Sequence, residues 1–236
     1  MVSYSMTLQE FKKRNNVTFK NDALLEQAFI HRSFINENPR SGLEHNERLE
    51  FLGDAVLELV VTEYLYATYP HHNEGDLTAY RSALVNAVTL GQVADSLMFN
   101  DMMRLSKGEA KDVSRARSSI LADAYEAFVG ALYLDQGYPA VKTFISHTVL
   151  IKTEDIIKQG LYKDAKSYVQ EKAQETEGVT PAYKVLGEEG PDHDKRFRMG
   201  IYFNDEIIAE GEGKSKQEAE TAAARNALLR KGWAGI

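Results

Sequence analysis

The sequence predicts an α+β chain of two domains: an all-α domain followed by a smaller one of order α-β-β-β-α. Three observations predict it. Apolar residues recur at helical spacing through the first two thirds of the chain, with no run of strict alternation. After residue 163 the pattern changes to short alternating runs over 182–211, closed by an alanine-rich amphipathic segment. Two of the apolar helices also carry acids on one face, which a purely structural core does not need. The expected boundaries are 1–158 for the first domain, 159–163 for a short polar hinge and 164–236 for the second.

Composition permits this division. A chain of 236 residues that is 43% hydrophobic can build two modest cores. No apolar run approaches the roughly 20 residues needed to span a bilayer, and residues 1–16 lack the apolar centre of a secretory signal. There is no cysteine, which removes disulfides and thiolate metal sites. The expectation is a cytoplasmic protein without a membrane partner. The formal charge of −7 argues against a general polycation, so any nucleic-acid contact has to come from local patches.

Residues 7–37 are expected to form two helices, Leu8–Arg14 and one from Asp22 through Phe34. His31 at the end of the second reads as a hydrogen-bonded packing residue. Pro39–Gly42 is a loop, and the next helix runs from about Asn46 to Tyr69, stopping before Pro70. This helix organises the chain. Its Glu47, Glu50 and Asp54 are spaced by three and four residues and share a face, while Leu49, Leu52, Val56 and Leu59 lie mainly elsewhere. Like charges beside low-dielectric walls repel, so arginines or a divalent cation must compensate.

His71 and His72 follow in a polar loop and read as a solvated pair. Glu74-Gly75-Asp76 reads as a turn and cap for a helix from Leu77 to Leu97. Residues 98–107 look irregular and Gly108 marks a break. The next apolar helix, SILADAYEAFVGALYLDQG, again carries two acids, Asp123 and Glu126, three apart. Ion pairs with Arg48, Arg81 or Arg115 are one way to balance them. A four-carboxylate basin of Glu50, Asp54, Asp123 and Glu126 is the other. Mg²⁺ prefers such oxygen ligands, and the basin suits metal-assisted attack of water on a phosphodiester, with no serine or cysteine nucleophile. Pro139 to about Lys158 is expected to be the last helix of the domain.

In the second domain a helix is expected over Asp164–Glu177, then strands Ala182–Glu189, Arg196–Asn204 and Glu206–Gly211, with Asn204-Asp205 as a hairpin turn. Ser215–Lys231 is the last helix, with Ser215 and Glu218 spaced as a capping box. Residues 160–236 hold 12 Lys and Arg against 14 Asp and Glu, a net of −2, so charge alone does not mark this domain as an RNA binder. Lys214 and Lys216 sit at the start of the last helix, where free N–H groups and the helix dipole also favour phosphate. A solvated, charged helix start is the alternative.

These residues carry a likeness to a known family. HNERLEFLGD at 45–54 resembles the signature of ribonuclease III, ILADAYEA at 120–127 resembles its second acidic motif, and EGD at 74–76 occupies the position between them. The second domain resembles a double-stranded-RNA-binding domain, most clearly in GKSKQEAETAAA at 213–224. The likeness covers nearly the whole chain, in the order typical of bacterial enzymes.

The resemblance implies an all-α RNase III endonuclease domain followed by a dsRNA-binding domain. It implies Mg²⁺, with Mn²⁺ as a substitute, held by Glu50, Asp54, Asp123 and Glu126, of which Asp54 and Glu126 are the least replaceable catalytic acids. Glu47 and Glu74 match acids near the RNA backbone and the scissile site. Phe51 matches an aromatic that plugs into the partner subunit of a homodimer, whose two sites cut opposite strands to leave 5′ phosphates and short 3′ overhangs. Gln170 and His193 match residues facing successive minor grooves, and Lys214 and Lys216 match lysines that grip phosphates between them. That agrees with recognition of A-form RNA by shape, 2′-hydroxyls and phosphates. Precursors of ribosomal RNA and structured mRNA and tRNA transcripts are the expected substrates, with no nucleotide cofactor. A non-catalytic dsRNA-binding protein and an all-α nucleotide pyrophosphohydrolase are the rival readings. Two departures from the family stand out. Ile30 replaces a frequent threonine, and the acids Glu188, Glu189, Asp192 and Asp194 crowd the first hairpin of the second domain.

Overall fold

The computed structural model describes residues 6–111, 115–158, 165–191 and 195–233, leaving aside the side chains of residues 115 and 116. His193 and the expected hinge 159–163 lie outside the described residues. The chain divides into two compact units, Met1–Glu154 and Asp155–Ile236.

The first unit is helical. α1 (Leu8–Arg14) is opened by a capping box between Thr7 and Glu10 and buries Phe11. α2 (Asp22–Ala28) is capped by Asn21, and α3 (Arg32–Glu37) by the His31 side chain. The single helix expected through Phe34 is therefore two. Long-range hydrogen bonds claim the backbone between them: His31 N–H donates to Arg104 O at 3.1 Å, Arg104 N–H to Phe29 O at 2.8 Å and Asn46 N–H to Ile30 O at 2.9 Å. Partners far along the chain took these groups from the helix, and local spacing carries no sign of them.

α4 (Glu47–Thr68) runs unbroken for 22 residues. α5 (Glu74–Val85) begins at Glu74, three residues earlier than expected, because Asn73 accepts from Asp76 N–H at 2.9 Å and caps it. Asn86 then ends α5 in extended backbone and caps α6 (Ala87–Ser96) through Thr89 N–H, splitting the expected Leu77–Leu97 helix. Asparagine side chains compete with the helical ladder in this way. α7 (Arg115–Gln136) is the second long helix. The expected final helix is instead α8 (Tyr138–Thr148), a 3-10 turn at Leu150–Lys152 and α9 (Thr153–Lys158). Thr148 bonds back to Phe144 O, Thr153 bonds back to Leu150 O, and the buried Tyr125 hydroxyl meets Thr148 at 2.6 Å. Phe11, Phe29, Phe99 and Phe128 fill the core, with Phe29 and Phe99 edge to face at 5.0 Å.

In the second unit α10 (Ala165–Glu177) and α11 (Lys216–Arg230) accompany a three-stranded antiparallel sheet of order β1 (Ala182–Glu189), β2 (Arg196–Phe203), β3 (Glu206–Gly213). The turn after β2 uses Asn204 at φ 54°, a left-handed conformation that asparagine tolerates. Val169, Ile201, Phe203 and Ile208 meet Ala223, Ala224 and Ala227 in the core. The alanine face lets α11 lie very close to β3: a Cβ on Gly211 would fall 2.1 Å from Ala223 N. Ser215 caps α11 by accepting from Glu218 N–H, and the Glu218 side chain accepts from Lys214 N–H.

Candidate metal centre and RNA interface

Two glycines set the site. α4 and α7 touch at Gly53 and Gly130. A Cβ on Gly53 would fall 1.8 Å from Glu126 O, and one on Gly130 would fall 2.1 Å from Leu49 O. Backbone therefore meets backbone, and no side chain separates the two helices. The acids one turn from these glycines are brought across from each other.

Glu50, Asp123 and Glu126 converge, offering carboxylate oxygens that all lie within 4.8 Å of one another. Each is half-buried. Asp54 is exposed and stands outside this trio among the described residues, yet its charge reaches both Glu50 and Glu126. Burial, with the charges of Asp123, Glu47 and Asp54, pushes the Glu50 carboxyl up to about 7. Burial, with Asp54, Asp123, Glu50 and Glu58, pushes Glu126 up to about 8. Burial also raises Asp123, opposed by the neighbouring His31.

One of the arginines that could have balanced the acids does otherwise, and the side chain of Arg115 lies outside the described residues. Arg81 donates to Thr62 Oγ1 at 3.0 Å, and no lysine or arginine forms an ion pair with the trio among the described side chains. The cluster thus has the donor set of a hard divalent cation: oxygen atoms only, close together, with excess negative charge.

The remaining predicted residues surround this centre or lie apart from it. Glu47 is held by Arg32 Nη1 at 3.1 Å, with His45 Nδ1 at 3.7 Å. Glu74 is the first residue of α5. Phe51 points away from the core and is 83% exposed, with Leu59 and Tyr66 exposed farther along α4. In the second unit Gln170 is exposed on α10, one residue past the buried Val169, and Lys214 and Lys216 are exposed before and at the start of α11.

Sequence reasoning missed His31 as a neighbour of the acids. Its Nδ1 bonds Ser33 Oγ at 2.8 Å, burial lowers its pKa, and Glu109, Asp123 and Glu47 oppose that fall. The HRS run was the available signal, but the fold that carries it to α7 was not legible. Glu58, one turn beyond Asp54, was also missed.

Comparison with known proteins adds to this geometry. A family profile described as Ribonuclease-III-like matches residues 21–153, and one described as double-stranded RNA binding motif matches residues 165–231. The chain is 44% identical over 225 residues to Ribonuclease 3 of Bacillus licheniformis, covering 94% of this chain and 89% of that protein. It is 45% identical over 223 residues to Ribonuclease 3 of Geobacillus thermodenitrificans, covering 93% and 89%. Among solved structures it is similar to the nuclease domain of ribonuclease III from Campylobacter jejuni, at 38% identity and a TM-score of 0.55, over 61% of this chain and 96% of that one. That domain is described with flexibility in a region involved in dimer formation.

Proposed function

The chain belongs to the ribonuclease III family, and we propose that it hydrolyses double-stranded RNA with Mg²⁺ held by Glu50, Asp123 and Glu126 and with Asp54 acting at the edge of that cluster. Endoribonuclease activity on double-stranded RNA is the activity of the family, and both of its domains are present. A divalent metal comes with that family. Mg²⁺ as the ion, and Mn²⁺ as its substitute, are our assignment. The observation that carries it is the convergence of three half-buried carboxylates with no lysine or arginine paired to them among the described side chains.

When bound, the ion supplies Lewis acidity and lowers the pKa of nearby water. The chain's own residues do the rest. Glu50, Asp123 and Glu126 would hold the ion, and its positive charge would favour the ionised form of carboxyls that burial and their neighbours have raised. Asp54 and Glu126 are the acids whose loss costs most. Glu47, oriented by Arg32, and Glu74, at the N-terminus of α5, flank the approach of the RNA backbone. Gln170, His193, Lys214 and Lys216 hold the duplex by groove and phosphate contacts.

We assign residues 1–158 to the catalytic domain, 159–163 to the hinge and 164–236 to the binding domain. Phe51 and the exposed apolar residues of α4 are proposed to pack in a homodimer that cuts both strands, leaving 5′ phosphates and short 3′ overhangs. The exposed Phe51, with Leu59 and Tyr66 exposed farther along the same helix, supports this. Cytoplasmic processing of ribosomal RNA precursors and of structured mRNA and tRNA transcripts completes the reading.

The test is cleavage of an RNA duplex and the matching DNA duplex, each with Mg²⁺ and with EDTA, beside Glu126→Gln. RNA-only, Mg²⁺-dependent products with 5′ phosphates are expected. Normal cleavage by Glu126→Gln at saturating Mg²⁺ would remove Glu126 from the mechanism. Binding without cleavage in either metal would leave only an RNA-binding protein.

A further inference from the structure

Lys216, the first residue of α11, is already engaged. Its Nζ lies 3.3 Å from Glu188 Oε1 and 5.7 Å from the centroid of the Phe197 ring. The other oxygen of Glu188, Oε2, lies 3.2 Å from Lys195 Nζ. One carboxylate therefore bridges two ammonium groups. The sheet register explains how. Glu188 on β1 faces Phe197 on β2, so carboxylate and ring emerge on the same side, beneath the start of α11. Hydrogen bonds from Lys195 and Lys216 hold the Glu188 carboxyl below the usual range, so it is ionised wherever RNA is bound.

A carboxylate shared by two lysines makes the contacts that a backbone phosphate would make. Resting on the reading that Lys216 grips RNA phosphate, we propose that Glu188 is a built-in competitor of the RNA backbone. It occupies Lys216 and Lys195 in the RNA-free chain and is displaced when duplex RNA binds. The exchange removes part of the gain from each of these phosphate contacts. Affinity then depends more on the other contacts along the duplex, and short or irregular helices are held less well than long regular ones. Both ion pairs are solvent-accessible, so salt weakens the competition as well as the binding.

The test uses the full chain in EDTA, where metal-dependent cutting is prevented, and a fluorescent RNA duplex of about 20 base pairs, longer than the ~16 spanned by one such domain. Anisotropy titrations at several salt concentrations compare Glu188→Gln with the unaltered chain. The variant should bind roughly two- to five-fold more tightly at low salt, the range of one exposed ion pair, and the gain should shrink as salt rises.

Glu189→Gln is the control. It removes the same charge one residue along, where β1 presents the opposite face, from a glutamate in no ion pair among the described residues. It should give little gain. Lys216→Gln should weaken binding and reduce the gain from Glu188→Gln, leaving only the part that comes through Lys195. Unchanged or weaker binding by Glu188→Gln, or an equal gain from Glu189→Gln, overturns the proposal. So does binding that ignores Lys216→Gln, although tight binding by the unaltered chain would still uphold the double-stranded-RNA reading. Absence of binding by the unaltered chain removes both.

Discussion

In the helical unit three half-buried carboxylates face one another with no lysine or arginine paired to them among the described side chains. In the second unit Lys166, Lys216, Lys231 and Arg198 each stand within 3.9 Å of a glutamate. The acidic trio and these pairs thus handle charge in opposite ways. The first concentrates one sign against low-dielectric walls, where burial above all, and then repulsion, raises carboxyl pKa values. The second distributes both signs in solvent-screened pairs. The cores of the two units differ in the same spirit. Interlocking phenylalanines tie α7 to the residues that follow α2 and α6, while an alanine face brings α11 close to the sheet. Rigid packing suits a site that must hold like charges together. Exchangeable pairs suit a surface that trades one anion for another.

The largest break in this contrast comes from the helix contact itself. Gly53→Ala puts a methyl group 1.8 Å from Glu126 O, a clash with backbone that no rotamer relieves. The cost should reach or exceed the top of the ~1–3 kcal/mol range for overpacking, with cleavage lost and the second unit still binding RNA. Thermal unfolding and RNA anisotropy on one preparation check both halves.

Glu126→Gln removes charge but little volume. Cleavage should fall by at least about 10²-fold, the scale of losing one preorganised electrostatic partner, while duplex binding stays within error of the unaltered chain. The metal-free variant should also melt higher at pH 8, by about 2–4 °C for each kcal/mol of repulsion relieved. A lower melting temperature would mean that Glu126 contributes to the fold, contrary to the repulsion inferred here.

Acidity should reveal the same repulsion without mutation. Glu50 and Glu126 take up protons near 7 and 8 in the folded chain, against 4.5 ordinarily. The folded state therefore binds more protons across that window, and metal-free stability falls as pH rises from about 4.5 to 8. Mg²⁺ binds only the ionised, folded cluster, so it should flatten that decline. Denaturant midpoints at pH 5.5 and 8, with EDTA or Mg²⁺, measure it. An equal midpoint at both pH values in EDTA would sink the account.

The smallest effect belongs to the second unit. Glu220→Gln breaks the 2.6 Å pair with Lys166, about one third exposed on the lysine side. It should lower stability by less than about 1 kcal/mol, with opposite sign to the effect at Glu126. That difference in sign is the comparison in its sharpest form.

Much of this was legible beforehand, and the reason differs by region. The strand Ala182–Glu189 and the turn at Asn204-Asp205 follow from alternation and turn chemistry, which are local. The helix starting at Ser215 follows from a local cap. By contrast, the break at Phe29–His31 depends on Arg104 and Asn46, and the break at Asn86 on a side chain choosing the cap over the ladder. Spacing placed Glu50 beside Asp54 and Asp123 beside Glu126 within their own helices. It also admitted the alternative of pairing with arginines.

The order of the domains, the faces on which the acids lie and the family to which they point could be read from the amino-acid order, because periodicity and motif spacing are properties of neighbours along the chain. Folding in three dimensions added that Glu50, Asp123 and Glu126 converge while Asp54 stands at their edge, that His31 lies near enough for its charge to reach Asp123, and that Glu188 holds Lys216. Those outcomes rest on distances between elements. They are set by how closely Gly53 lets α4 meet α7 and by the register that puts Glu188 opposite Phe197.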